Sequence, residues 1–195
     1  MAESIWRQSS EPVSITPLIK SQLPIQRGGG STEFAHSRFL VPWLCDYKGH
    51  AIFMDCDMLC RDDIAKLWNQ RDPDYWLHGA AVKVVQHNYR PKETSKFLGQ
   101  PQTQYDRKNW SSVMLFDCSK CRALTPEYVE TAPGLDLHQF KWTENIGSLP
   151  AEWNYLVGHS EGKASLVHYT LGGPWFPEYA DCEYSSEWKT AHSQR

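Results

Sequence analysis

The stretch Ala51-Ile52-Phe53-Met54-Asp55-Cys56-Asp57-Met58-Leu59-Cys60-Arg61-Asp62-Asp63-Ile64 decides how this chain reads. Its first four residues form an unbroken apolar run. That is the pattern of a short strand buried on both faces, as in parallel sheets. The run ends in Asp55-x-Asp57. Asp62-Asp63 then offers a helix N-cap, followed by Ile64, Leu67 and Trp68 on one helical face. In open α/β sheets, ligands bind beyond the carboxyl ends of strands. Two carboxylates there repel each other unless something positive lies between them. Mg²⁺ or Mn²⁺ meets that need, because hard cations take carboxylate oxygens and keep positions for substrate phosphates. An isolated Asp-x-Asp reads equally as a loop with two solvated aspartates. The strand before it and the capped helix after it favour the cation.

Upstream, residues 1–10 read as the end of a helix stopped by Ser9-Ser10 and Pro12. Pro12 to Leu18 alternates apolar and polar, which predicts a strand. Arg27-Gly28-Gly29-Gly30-Ser31 reads as a mobile loop. It lacks the Lys of a phosphate loop and joins no strand to a helix. Phe39, Leu40, Trp43 and Leu44 have helical spacing, made irregular by Pro42. Downstream, Ala80–Gln86, Val113–Phe116 and Ser165–Tyr169 read as strands, and Thr125-Pro126 opens a helix with a cap and a first-turn proline. Strands and helices alternate. The predicted class is therefore α/β, with a mainly parallel, Rossmann-like sheet and flanking helices in one domain spanning 1–195.

The second chemical signal is Leu166-Val167-His168-Tyr169-Thr170-Leu171-Gly172-Gly173-Pro174-Trp175. A histidine at a strand end can give imidazole nitrogen to the same cation. The glycines after it let backbone approach a diphosphate. A lone histidine is otherwise an ordinary hydrogen-bonded side chain.

Composition narrows the function classes. Lys plus Arg number 20 and Asp plus Glu 23, giving a net charge of −3 over 195 residues. That lacks the basic surplus of a dedicated nucleic-acid binder. A hydrophobic share of 41% fills a core and excludes wholesale disorder. No apolar run is long enough to span a bilayer, and the first residues lack a secretory pattern. Six cysteines in a chain this size are not a disulfide framework, so a reduced, cytoplasmic protein is expected. Cys118-x-x-Cys121 is half of a zinc spacing with no second pair, and reads as ordinary thiols. The late aromatics Trp175, Phe176, Tyr179, Tyr184 and Trp188 read mostly as packing, with an acceptor cleft as the other reading.

Together, Ser37–Leu44, Ala51–Ile64 and Leu166–His168 resemble the retaining glycosyltransferases of GT-A fold, of the glycogenin and lipopolysaccharide-galactosyltransferase type (family 8-like). The resemblance covers roughly Ser4 to Trp188. It implies transfer of a sugar from a nucleotide-diphosphate sugar, a UDP-sugar, to a carbohydrate or other hydroxyl acceptor, with retention. Asp55, Asp57 and His168 would hold Mn²⁺ or Mg²⁺. Asp55 would contact the metal and the nucleotide ribose, or the metal alone, and Arg38 would reach the donor sugar and phosphate. Trp110-Ser111-Ser112 matches the segment beside the donor sugar, with Trp110 where the family has Asn, so that Asn109 is the substitute. Ser111, Ser112, Gly172 and Gly173 are then donor-lining candidates. His138-Gln139 falls near the family's Asp-Gln pair, which makes Gln139 the candidate polar group on the reacting face and, with Arg38, the catalytic pair. Asn154 matches a family position and reads as structural.

Two departures stand out. The family's opening, nucleobase-binding strand has no counterpart, and Gly173 stands where the family has a diphosphate-binding Lys. A missing first strand would leave an open sheet edge, through which a homo-oligomer could form. Two alternatives stay open: a truncated, inactive domain that binds metal and nucleotide sugar, and a phosphatase-like Asp-x-Asp phosphotransferase. The second wants Thr or Val where this chain has Leu59.

Overall fold

The computed structural model describes residues 1–27, 34–71, 79–91, 95–101 and 104–193. The glycine loop at 28–31 lies outside the described residues. In chain order the elements are α1 (Ala2–Gln8), α2 (Val41–Leu44), β1 (His50–Met54), β2 (Met58–Cys60), α3 (Ile64–Trp68), β3 (Val82–Val84), β4 (Ser95–Lys96), β5 (Gln100–Pro101), β6 (Val113–Asp117), α4 (Pro126–Thr131), α5 (Gly134–His138), β7 (Ile146–Ser148), β8 (Tyr155–Leu156), β9 (Leu166–His168) and α6 (Ser185–Ser193). Short 3₁₀ turns lead into α2, at Ser37–Leu40, and into β6, at Trp110–Ser112.

The main sheet has the order β1-β6-β3-β7, and a second sheet has the order β2-β9-β8. Helices flank both, and the α/β class holds. Strand direction departs from expectation. The pairs β1–β6, β3–β6 and β2–β9 are antiparallel, while β3–β7 and β8–β9 are parallel. A fully apolar run signals burial on both faces, and a mixed sheet sandwiched by helices buries its strands as well as a parallel one.

Alternation builds the core. Met114 and Phe116 of β6 point with Val82 and Val84 into one cluster with Phe39, Leu40 and Leu137. Val113 and Leu115 point the other way, against Met58, Cys60, Ile64 and Leu67. A third cluster gathers Leu59, Tyr155, Val167 and Tyr169 around the second sheet. Cys118 and Cys121 belong to the first cluster, and the Cys121 thiol donates to the carbonyls of Ala81 and Asp117 at 3.3 and 3.2 Å. Burial pushes the Cys118 thiol up to about 12 and raises Cys121 as well, so both are neutral core thiols.

Strand β1 corrects a second expectation. Ala51 and Phe53 pack against one cluster and Ile52 and Met54 against the other, yet all five residues are only half-buried. Its ladder with β6 is closed by Cys118 N–H to Gly49 O and by Asp55 N–H to Ser112 O, each 3.0 Å. Antiparallel alternation then turns the backbone groups of Ile52 and Met54 to the far side, where no strand pairs among the described residues. The segment Pro12–Leu18 is extended but forms no ladder; its Val13, Ile15 and Leu18 still reach the two clusters in alternation. Alternation predicted the side-chain placement and could not supply a partner strand.

Candidate metal and donor site

Three elements deliver the site. Strand β1 ends at Met54, so Asp55 emerges at its carboxyl end, held by the bond to Ser112 O. Asp57 immediately precedes β2, whose first residue Met58 is paired with His168, the last residue of β9. The register is locked by Tyr169 N–H donating to Asp57 O at 3.1 Å. One ligand atom each from Asp55, Asp57 and His168 falls within 4.8 Å of the others. His168 Nε2 lies 3.7 Å from Asp57 Oδ2.

Burial raises the Asp55 carboxyl, against the pull of Arg38, because the charged form is desolvated. For Asp57 burial works in the same direction, but the adjoining His168 imidazole outweighs it and the carboxyl sits below its ordinary value. Two carboxylates and one imidazole nitrogen are a donor set that suits a hard or borderline divalent cation. Among the described residues no other cluster of this kind occurs.

Arg38, only 8% exposed, grips Asp55 with both terminal nitrogens, Nη1 to Oδ2 at 3.1 Å and Nη2 to Oδ1 at 2.9 Å. Its Nη1 also donates to Ser111 O and its Nε to Ala35 O, each 2.9 Å. The guanidinium lies 5.0 Å from the centre of the Phe53 ring. This bidentate arrangement orients the carboxylate while leaving lone pairs for a cation.

The remaining expected residues divide. Ser111 and Ser112 meet the site mainly through backbone: the Ser111 hydroxyl pairs with His138, and the Ser112 carbonyl holds Asp55. Gly172 and Gly173 are buried beside His168 in sequence. A Cβ on Gly173 would lie 2.2 Å from the Trp175 indole, so close packing already requires glycine there. Gln139 caps α5, its N–H bonded to Leu135 O, and its carbonyl accepts from Arg107 Nη1. Among the described residues the Gln139 side-chain amide makes no hydrogen bond to the trio.

Asn154, read from sequence as structural, is a working part. Its Oδ1 lies 3.0 Å from His168 Nδ1, and its Nδ2 donates to Asn109 O at 2.9 Å. Asn109 adopts a left-handed φ of 64°, which aims that carbonyl. A groove of about 370 Å³ runs from Cys56 and Asp57 along Trp175, Trp188 and His192.

This architecture defines a GT-A-like glycosyltransferase fold. Galactosyltransferase LgtC, solved with donor and acceptor sugar analogs, is 15% identical over 81% of this chain and 66% of its own, with a TM-score of 0.52. An active-site mutant of LgtC is 16% identical over 88% and 69%, at 0.53. The apo form of glycosyltransferase GlyE from Streptococcus pneumoniae TIGR4 is 13% identical over 85%, at 0.53, and this chain spans 44% of it. Identities this low speak to the fold. No protein-family model matches the chain. By sequence, Protein CDI of Arabidopsis thaliana is 46% identical over 203 residues, covering 95% of this chain and 76% of that protein. The chain belongs to the family of Protein CDI.

Proposed function

We propose that this chain is a metal-dependent, retaining glycosyltransferase that moves a sugar from a nucleotide-diphosphate donor, a UDP-sugar, to a hydroxyl acceptor. The observation that carries the reading is the convergence of Asp55, Asp57 and His168 at strand ends within a glycosyltransferase fold. These three residues would hold Mn²⁺ or Mg²⁺. When bound, the cation supplies charge neutralisation for a diphosphate leaving group. Arg38 orients Asp55 and adds a buried positive charge on the same side. Ser111, Ser112, Gly172 and Gly173 line the donor side in this reading, and Gln139 serves the reacting face.

In this reading no protein side chain acts as the nucleophile. The bond from the anomeric carbon to the diphosphate oxygen breaks, and a bond to the acceptor oxygen forms on the same face. The acceptor's proton passes to the departing diphosphate oxygen. The aromatic groove beside Asp57 suits the acceptor, since Trp175 is 41% exposed there and offers a flat face to a sugar ring.

A panel of UDP- and GDP-sugars with Mn²⁺, with and without EDTA, tests the reading. EDTA should abolish turnover. Asp57→Ala should abolish both Mn²⁺ binding and turnover while circular dichroism stays native, because it removes a partly exposed ligand and no core. Turnover that survives EDTA would sink the proposal. Binding of Mn²⁺ and UDP without turnover identifies the inactive domain instead. Trp175→Ala should raise the KM for acceptor and leave the donor KM unchanged.

A further inference from the structure

We propose that His138 is a positioning residue of this site: through Ser111 it holds Arg38, and through Arg38 it holds Asp55. The inference rests on reading Asp55 as a site residue, as above.

His138 is the last residue of α5. Its Nδ1 lies 2.8 Å from Ser111 Oγ. The ring stands edge-on to Phe39 at 5.2 Å between centres, with Tyr105 at 6.3 Å and His36 at 6.0 Å. Ser111 is 4% exposed, and its own carbonyl receives Arg38 Nη1. A guanidinium is a rigid fork. Few orientations let it reach Ala35 O, Ser111 O and both Asp55 oxygens at once. The direction of the Ser111 carbonyl therefore sets the direction of Asp55.

That carbonyl belongs to a three-residue 3₁₀ turn, whose hydrogen-bond geometry is weaker than an α-helix's. The turn does not fix Ser111 by itself, and the side-chain bond to His138 ties it down. The imidazole suits this place electrostatically. Burial, then Arg38, His36, Lys108 and Arg27, push its pKa down to about 3, so it is uncharged at neutral pH. A neutral ring anchors Ser111 without repelling Arg38. Gln139, the adjoining residue favoured by sequence, makes no such link.

The test follows the guanidinium directly. The Arg38 Nη1 signal, assigned by its loss in Arg38→Lys, is followed by ¹⁵N NMR in wild type, His138→Asn and His138→Gln. An Asn amide reaches the Nδ1 position and a Gln amide does not. Exchange of the Arg38 Nη1 hydrogens, which bond to Ser111 O, with water should rise on the order of tenfold in His138→Gln, the equivalent of one hydrogen bond, and return to wild type in His138→Asn. Backbone amide exchange in β6 should not move. The donor kcat/KM should fall and recover in the same pattern. Unchanged exchange in folded His138→Gln, or no recovery in His138→Asn, overturns the proposal. If His138→Gln fails to fold, Ser111→Ala cuts the same link and is read the same way. A wild type without turnover defeats the glycosyltransferase reading, and the exchange comparison still decides the role of His138.

Discussion

Which nitrogen of His168 faces the two acids is decided by Asn154. Because Asn154 Nδ2 donates to a backbone carbonyl, Oδ1 must be the atom facing His168. His168 Nδ1 then carries a hydrogen, and Nε2 is the nitrogen that faces Asp57. Partners that fix a ligand imidazole in this way are worth about 10–100-fold in metal affinity. Asn154→Leu should weaken Mn²⁺ binding by that factor in calorimetry, while Asn154→Asp, which keeps the acceptor, should lose far less. The trio itself was legible in the sequence because Asp55 and His168 close apolar runs and Asp57 opens one. Asn154 was not. A single amide in Glu-Trp-Asn carries no spacing, and only the fold brings it beneath residue 168. His138 was hidden for the same reason, beside a more conspicuous glutamine.

Elements were legible where their signals are local. Asp63 caps α3, accepting from Ala65 N–H at 3.0 Å, and Thr125 caps α4, accepting from Tyr128 N–H at 3.1 Å. Asp63 does more than the cap pattern implies. It also receives the Ser10 N–H at 3.1 Å and the Ser10 hydroxyl at 2.5 Å, tying the chain after α1 to the start of α3. Asp63→Ala should therefore remove the stability of a helix cap and of the tie to Ser10, seen as a lower urea midpoint with an unchanged slope. Ser10→Ala should lose a smaller part of it. Strand pairing was the least legible feature. Residues 51–54 read as doubly buried, and they do pack on both clusters, but the run itself does not say whether a strand lies on one side or two. Parallel and antiparallel neighbours impose the same apolar demand, so direction also had to come from the fold.

At the scale of the whole molecule, buried and half-buried histidines set the response to acid. Burial is the largest cause in each of three cases. His36 is pushed from 6.5 to about 4, with Arg27 and Arg38 adding to the effect. His87 is pushed to about 4, with His168 adding, and His138 to about 3, with Arg38 adding. Both ring nitrogens of His36 are buried without a hydrogen-bond partner, which makes a proton there costly. All three folded values lie below the unfolded one, so the unfolded chain binds more protons between them. Stability is then fully present above pH 6.5 and falls as pH drops from about 6.5 toward about 4. Each such proton contributes a slope of about 1.4 kcal/mol per pH unit. Carboxylates held below their ordinary value, such as Asp117, lose their share only as pH falls below the usual carboxylate range. The histidine window lies above that range, and the raised Asp55 carboxyl works there with the opposite sign. Urea unfolding between pH 7 and 4.5 should show a steep loss, and His138→Asn should flatten it by about one proton's slope. A stability curve that is level across this window, or equally steep in His138→Asn, would contradict the neutral state assigned to His138 and with it the electrostatic half of its positioning role.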